Sequence, residues 1–319
     1  VITTPAGPAR PTETGEPRPG DTVWIDLHAP TIDEEHETEA LLGVDLPTRE
    51  DIESIEPSSR LYIEDGALFM TASVICKSEG RRAETTDVAF ILVCDKLVTV
   101  RYGEPKAFSL FAQKARRNPD VCRNGITTLV NLLEAVVDRT AEVLEKTDDE
   151  VDALPDMVFS DGSPKRRTTA DLEATIVRIG ILQRRTAKIR DSLVSLGRAV
   201  GFLLTLRDPS FDAELKSHVK SLARDIASLS DHTSYTTANI AFLLDATLGL
   251  INIEQNGIIK FFSVVAVVLL PPTLVGTVYG MNFEIMPELQ WSLGYPFAIF
   301  LMVISAVVPY LWFRRLGWL

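Results

Sequence analysis

Apolar and polar residues change period several times along this chain, and each change announces a different kind of element. Between residues 22 and 101, short runs rich in Val, Ile, Phe and Thr (22–27, 61–63, 67–76, 87–94 and 97–101) read as strands. Asp65-Gly66 is a hairpin signal, and Asp95-Lys96 punctuates the last two runs. Residues 32–42 and 47–54 carry a helical pattern, with Thr48 and Asp51 near a helix start. Together these make a mixed α/β domain spanning residues 21–120.

Beyond it the helical period takes over. Residues 126–154 form a helix, and nine acidic residues fall between Glu134 and Asp156, just past its end, against only Arg139 and Lys146. After a polar loop at 160–164, a second helix runs over 165–206, and the two make a helical hairpin within residues 121–207. The acidic run fits a solvated face and a cation-collecting surface equally well. A third helix starts near Asp208-Pro209, and from Leu215 to Glu254 its seam residues follow strict 4–3 spacing for more than five heptads. That is coiled-coil spacing, expected to gather several copies of a stalk over 208–257.

Residues 261–279 and 295–313 are each nineteen residues long without a charge. At ~1.5 Å per residue each reaches ~28 Å, enough for a bilayer core. Lys260 precedes the first span and Arg314-Arg315 follow the second, while residues 280–294 hold Glu284 and Glu288 and no Lys or Arg. The positive-inside rule puts both termini in the cytoplasm and the short loop outside. Residues 1–20 contain five prolines and no apolar run, so a disordered tail is expected there, without the h-region of a signal peptide.

The spans differ in how their polar residues are placed. At ~100° per residue, Asn256, Ser263, Thr273 and Thr277 fall within a sector of about 100°, whereas the second span holds only Ser305. A helix with one polar stripe faces water or a neighbour, and one apolar all round faces lipid. The first span is therefore expected to line a pore. One helix cannot enclose a pore, so several copies in closed symmetry are expected around the axis.

Composition adds exclusions. The 319 residues are 46% apolar and 24% charged, and 32 Lys+Arg against 44 Asp+Glu leave a net charge of −12. A nucleic-acid partner is excluded on that balance, and cations are favoured. Cys76, Cys94 and Cys122 form no C-x-x-C pair, which fits a reducing compartment with all three packed in the core. The chain has no phosphate-binding glycine loop, nucleophile elbow or H-E-x-x-H, so no enzyme is expected.

Tyr279-Gly280-Met281-Asn282-Phe283 ends the first span, and Met286-Pro287-Glu288-Leu289, Trp291, Gly294-Tyr295-Pro296 and a terminal Arg314-Arg315-Leu316-Gly317-Trp318-Leu319 follow. With these motifs, and with Pro47-Thr48-Arg49-Glu50-Asp51 and Ser59-Arg60-Leu61-Tyr62, the chain resembles the CorA family of magnesium and cobalt transport proteins from about Trp24 to its end. The resemblance implies an α/β cytoplasmic domain, long stalk helices and two C-terminal transmembrane helices in a funnel-shaped homopentamer embedded in the cell membrane. It implies an external ring of Gly280, Met281 and Asn282 as selectivity filter; Glu284 and Glu288, repeated around such a ring, would concentrate cations outside, and ordinary solvated carboxylates in this loop are an equal reading.

It also makes Asn256 and Thr273 polar lining positions, which Thr277 joins from the polar stripe, Ile259, Phe262 and Leu270 a hydrophobic constriction, and Ala266 part of the same register. Phe262 is bulkier than the aliphatic residue usual there. Asp51 and Asp245 match the pair that binds regulatory Mg²⁺ between subunits, whereas Ser221 replaces an acid of a second site, which is not carried over. The function implied is uptake of Mg²⁺, with Co²⁺ and Ni²⁺ as further ions, driven by the membrane potential and closed by cytoplasmic Mg²⁺. The alternative is a Zn²⁺ or other transition-metal transporter of the same superfamily, with or without proton coupling, for which His28, His36, His218 and His232 would be the softer ligands.

Overall fold

The computed structural model describes residues 2–3, 22–54, 60–77, 83–159, 169–206, 212–282, 287 and 291–317. They divide into two compact units, Val1–Pro164 with Ala174–Leu244, and Lys165–Glu173 with Asp245–Leu319. An α/β domain is followed by long helices and two apolar C-terminal ones.

The first unit is built on a six-stranded sheet. Its strands are β1 (Ile2–Thr3), β2 (Trp24–His28), β3 (Leu61–Glu64), β4 (Ala67–Lys77), β5 (Glu84–Val93) and β6 (Lys96–Arg101), in spatial order β1-β2-β6-β5-β4-β3. All pairings are antiparallel except β2 with β6. Within the stretch expected to be a tail, Ile2 and Thr3 pair with Ile25 and Trp24.

Strand alternation sorts the core onto two faces. Leu68, Met70, Ala72 and Val74 of β4, Val88 and Phe90 of β5 and Leu97 of β6 point to one side. Phe69, Ala89, Ile91, Val98 and Val100 point to the other, where Leu42, Val44, Leu46 and Ile52 cover them. These last come from the region of helices α1 (Ile32–Leu42) and α2 (Arg49–Glu53), each opened by a capping box, at Thr31 and Thr48.

Asp65-Gly66 makes the β3–β4 turn with both residues at positive φ, as expected. The β5–β6 turn sits one residue earlier than the sequence indicates, on Cys94 and Asp95, both at positive φ. That moves Cys94 out of the core: it is exposed and Cys76 half-buried, and Cys122 alone of the three is packed inside. Helix α3 (Lys106–Arg117) was not distinguished in the sequence; its buried Ala107, Phe108, Phe111 and Ala115 make one continuous face, with Lys106, Arg116 and Arg117 exposed on the other.

The first core face is closed by α3, α4 (Gly125–Asp152), α6 (Thr169–Thr205) and the start of α7 (Ala213–Tyr279), with short α5 (Leu154–Phe159) between α4 and α6. Gly125 is required where α4 starts, since a Cβ there would lie 2.7 Å from the Asp95 carbonyl. Seam residues Val219, Leu222, Ile226, Thr233, Thr236, Ile240 and Leu243 of α7 are all buried, on the 4–3 spacing the sequence shows. Their partners lie within this chain: Val219, Leu222 and Ile226 join the core with α4 and α6, and Ile240 and Leu243 pack with Val151, Leu154, Ile179 and Leu182. The seam is thus buried by its own bundle up to Leu243, not reserved for other copies. A helix in an intramolecular bundle needs the same apolar spacing as one in a coiled coil between chains.

In the second unit, the later part of α7 and helix α8 (Gly294–Arg315) are each long and apolar enough to cross a membrane. A Cβ at Gly276 of α7 would lie 3.5 Å from Met302 Cε of α8, so the small residue permits close approach there.

Candidate functional site: the exposed stripe and terminus of the long helix

Helix α7 places its residues by simple rotation. At ~100° per residue, Asn256, Ile259, Phe262, Ala266, Leu270, Thr273 and Thr277 cluster on one side. All seven are exposed in the single chain. Val264, Val268, Pro271 and Val275, which are buried or half-buried, fall on the side ~180° away. They continue the 4–3 row of the buried seam past Thr247, so one heptad register fixes both the packing row and the side left free.

The threonines on that stripe treat their hydroxyls alike. Thr273 Oγ1 donates to the Leu269 carbonyl and Thr277 Oγ1 to the Thr273 carbonyl, each at 2.8 Å. With its proton engaged inside the helix, each hydroxyl presents oxygen lone pairs outward. Such an oxygen accepts from the water shell of a cation and offers nothing to an anion. Two prolines precede them, and Pro271 and Pro272 cannot donate to the carbonyls one turn earlier.

The helix closes on Gly280, whose N–H donates to the carbonyls of Gly276 (3.0 Å) and Thr277 (3.1 Å). A Cβ on Gly280 would crowd the Gly276 oxygen at 3.2 Å. Met281 and Asn282 follow, both exposed, at the end of the apolar segment. Glu284 and Glu288 lie outside the described residues.

Asp51 is exposed on α2 and serves as the acceptor of its capping box. Asp51 Oδ2 accepts from Thr48 N (3.0 Å) and Thr48 Oγ1 (2.6 Å). Asp245 is exposed on α7, and Asp51 and Asp245 belong to different units. Among the described residues no three carboxylate, histidine or cysteine side chains converge to hold a metal within one chain.

Two links that sequence reasoning missed join α4 to α7. His218 Nε2 lies 2.9 Å from Glu134 Oε1, and His232 Nε2 lies 2.6 Å from Asp148 Oδ2. Thr236 Oγ1 donates to the other oxygen of Asp148 at 2.6 Å. The shared offset of 84 residues shows that α4 and α7 run parallel, and it was the available signal. Glu150 on α4 pairs with Arg185 (2.7 Å) and Arg178 (3.6 Å) on α6. Part of the acidic run is therefore neither a solvated face nor a cation collector; it ties the bundle together. His36 and His28 likewise each stand near one carboxylate, Glu39 and Glu104.

The chain matches the family described as CorA-like Mg2+ transporter protein over residues 19–315. It is 36% identical over 300 residues to the magnesium transport protein CorA of Haemophilus ducreyi, covering 94% of this chain and 92% of that one. It is also 36% identical over 299 residues to the CorA of Escherichia coli, with the same coverage. The fold matches the complete structure of the CorA magnesium transporter from Methanocaldococcus jannaschii with a TM-score of 0.76 at 19% identity, covering 94% of this chain and 92% of that one.

Proposed function

The chain belongs to the CorA-like Mg2+ transporter family, a family of membrane transporters of divalent cations and not of enzymes, and from that premise we propose that α7 lines the conducting path for Mg²⁺ in a homopentamer. The observation that carries this is the exposed stripe from Asn256 to Thr277, opposite the buried row of the same helix and ending at Gly280-Met281-Asn282. Mg²⁺ dehydrates reluctantly, so a filter suits it when it offers neutral oxygens to a hydrated ion. Five Asn282 carboxamides with the neighbouring carbonyls supply that, and they hold the ion weakly enough to release it. Below them, Thr277 and Thr273 continue the acceptor surface. Leu270, Ala266, Phe262 and Ile259 narrow to a barrier that closes by excluding water, with polar Asn256 below it.

The orientation follows from Lys260, Arg314 and Arg315, with both termini cytoplasmic. An inside-negative potential of 100 mV then favours inward movement of a divalent ion by ~4.6 kcal/mol. Residues 21–120, the hairpin of 121–207 and the stalk of 208–257 form the cytoplasmic body, residues 258–280 the pore helix and 295–313 the outer span. Glu284 and Glu288 concentrate cations at the mouth. When internal Mg²⁺ rises, it bridges Asp51 of one subunit and Asp245 of the next and holds the pore shut. Co²⁺ and Ni²⁺, whose hydrated ions resemble that of Mg²⁺, are further cargo.

Mg²⁺ influx into proteoliposomes under an inside-negative potential is the test. Asn282→Ala is expected to abolish flux, and wild-type flux in that variant removes the filter assignment. Asp245→Ala is expected to conduct with reduced inhibition by internal Mg²⁺; unchanged inhibition takes this residue out of the sensor. Competition by Co²⁺, Ni²⁺ and Zn²⁺, with and without a pH gradient, separates a magnesium channel from a proton-coupled zinc transporter.

A further inference from the structure

An acidic protein that handles cations has little reason to gather arginines, yet three of them converge in the first unit. Arg60, at the start of β3, and Arg190 and Arg198, two turns apart on α6, line a pocket of about 220 Å³ with Thr71 and Ser73 of β4 and Ser195 of α6. Arg60 is fixed before any ligand arrives: its Nε donates to the Ser54 carbonyl at 2.7 Å, and its Nη2 lies 3.4 Å from Asp87 Oδ2. Asp87 is itself engaged by the Ser73 hydroxyl. Arg190 and Arg198 have no carboxylate partner among the described residues, and Asp191, which also lines the pocket, lies 3.9 Å from Lys188.

The neutral groups point the same way. Thr71 is only 7% exposed and lines the pocket, where its N–H donates to the Arg60 carbonyl at 2.7 Å. Ser195 Oγ accepts the Ser73 N–H at 3.0 Å, which leaves its own proton to donate.

We propose that this pocket binds a soluble phosphate-type oxyanion, held by Arg60, Arg190 and Arg198 with Thr71 and Ser195 as neutral donors. Guanidinium groups match the oxygens of phosphate in geometry and charge. Donors arriving from two strands and a helix suit a tetrahedral anion better than a planar carboxylate. The volume exceeds that of a lone phosphate, so pyrophosphate or a small phosphorylated metabolite fits better. Bound there, the anion ties β4 to α6, adding to the existing Ser73 contacts with Ser192 and Ser195.

The experiment uses the full chain in maltoside micelles, which contain no phosphate, in metal-free chloride buffer, titrated calorimetrically with sodium phosphate and with pyrophosphate. Saturable binding is expected, tighter for pyrophosphate, and weakened at least about tenfold in Arg190→Gln/Arg198→Gln. Thr71→Val is expected to weaken binding less, and Arg184→Gln, on α6 outside the pocket, to leave it unchanged. Mg²⁺ uptake at wild-type rates by the double variant would show that it is folded. The proposal is overturned if the wild type shows no saturable binding, if the double variant binds as the wild type does, or if Arg184→Gln weakens binding equally. Displacement of bound phosphate by phosphatidylglycerol micelles but not by free pyrophosphate would assign the pocket to a lipid headgroup and overturn the soluble ligand.

Discussion

Both contacts of Asp51 with Thr48 run through Oδ2, so Oδ1 stays available to a cation while the other oxygen holds the first turn of α2. The two roles separate by substitution. Asp51→Asn keeps an acceptor for the cap and removes the charge, so it is expected to lose Mg²⁺ inhibition with its melting temperature unchanged. Asp51→Ala is expected to lose the inhibition and, in addition, about 1 kcal/mol of stability. If thermal melts and flux inhibition change together in both variants, Asp51 acts through the fold alone. Asp138 on α4 is a different case: burial, reinforced by Glu134, pushes its carboxyl above the ordinary range, with Lys114 opposing. An acid raised in the folded state gives full stability below its unfolded pKa and loses it as pH rises through the folded value. Asp138→Asn is therefore expected to melt higher than the wild type at pH 7 and alongside it at pH 3, and the opposite order would reverse the assignment. Single residues were unevenly legible. The polar positions Asn256, Thr273 and Thr277 emerge from periodicity because one helix carries them, whereas Ile259, Phe262, Ala266 and Leu270 came only from the family resemblance, and Ser263, read into the same stripe, is half-buried. The arginine pocket does not, since Arg60 and Arg190 meet only after the sheet and bundle have formed.

At the scale of elements, strands β4 to β6 are readable because both faces of the sheet are buried and their runs are apolar nearly throughout. The turn at Cys94 and Asp95 was displaced by one residue because no glycine marks its positive-φ positions. The seam of α7 was legible as a seam but not in its partner, since apolar spacing says that a row is covered without saying by what. What distinguishes the partner is polar: Thr236, 2% exposed, donates to Asp148 across the bundle. Thr236→Val keeps the shape and removes that bond, and about 1–2 kcal/mol of stability is expected to go with it. Equal denaturation midpoints for the two proteins would show that His232 alone holds Asp148.

For the whole molecule, the net charge of −12 would acquire direction in the proposed homopentamer, where five copies around one axis would carry about −60 and gather cations from solution. Flux through such a ring should fall with ionic strength at low Mg²⁺, since screening weakens the field, and flux indifferent to salt would confine the effect to the mouth. The unbroken helix from Ala213 to Tyr279 has a different consequence, one of length. A residue inserted between Thr247 and Asn256 turns everything after it by ~100° about the helix axis, whereas seven residues turn it by ~20° in the opposite sense and eleven by ~20° forward. Single insertions there are expected to silence conduction, and insertions of seven or eleven to preserve it. Chain length in this stretch would then be free to drift only in those steps, a constraint visible in gaps between relatives where no single position needs to be invariant.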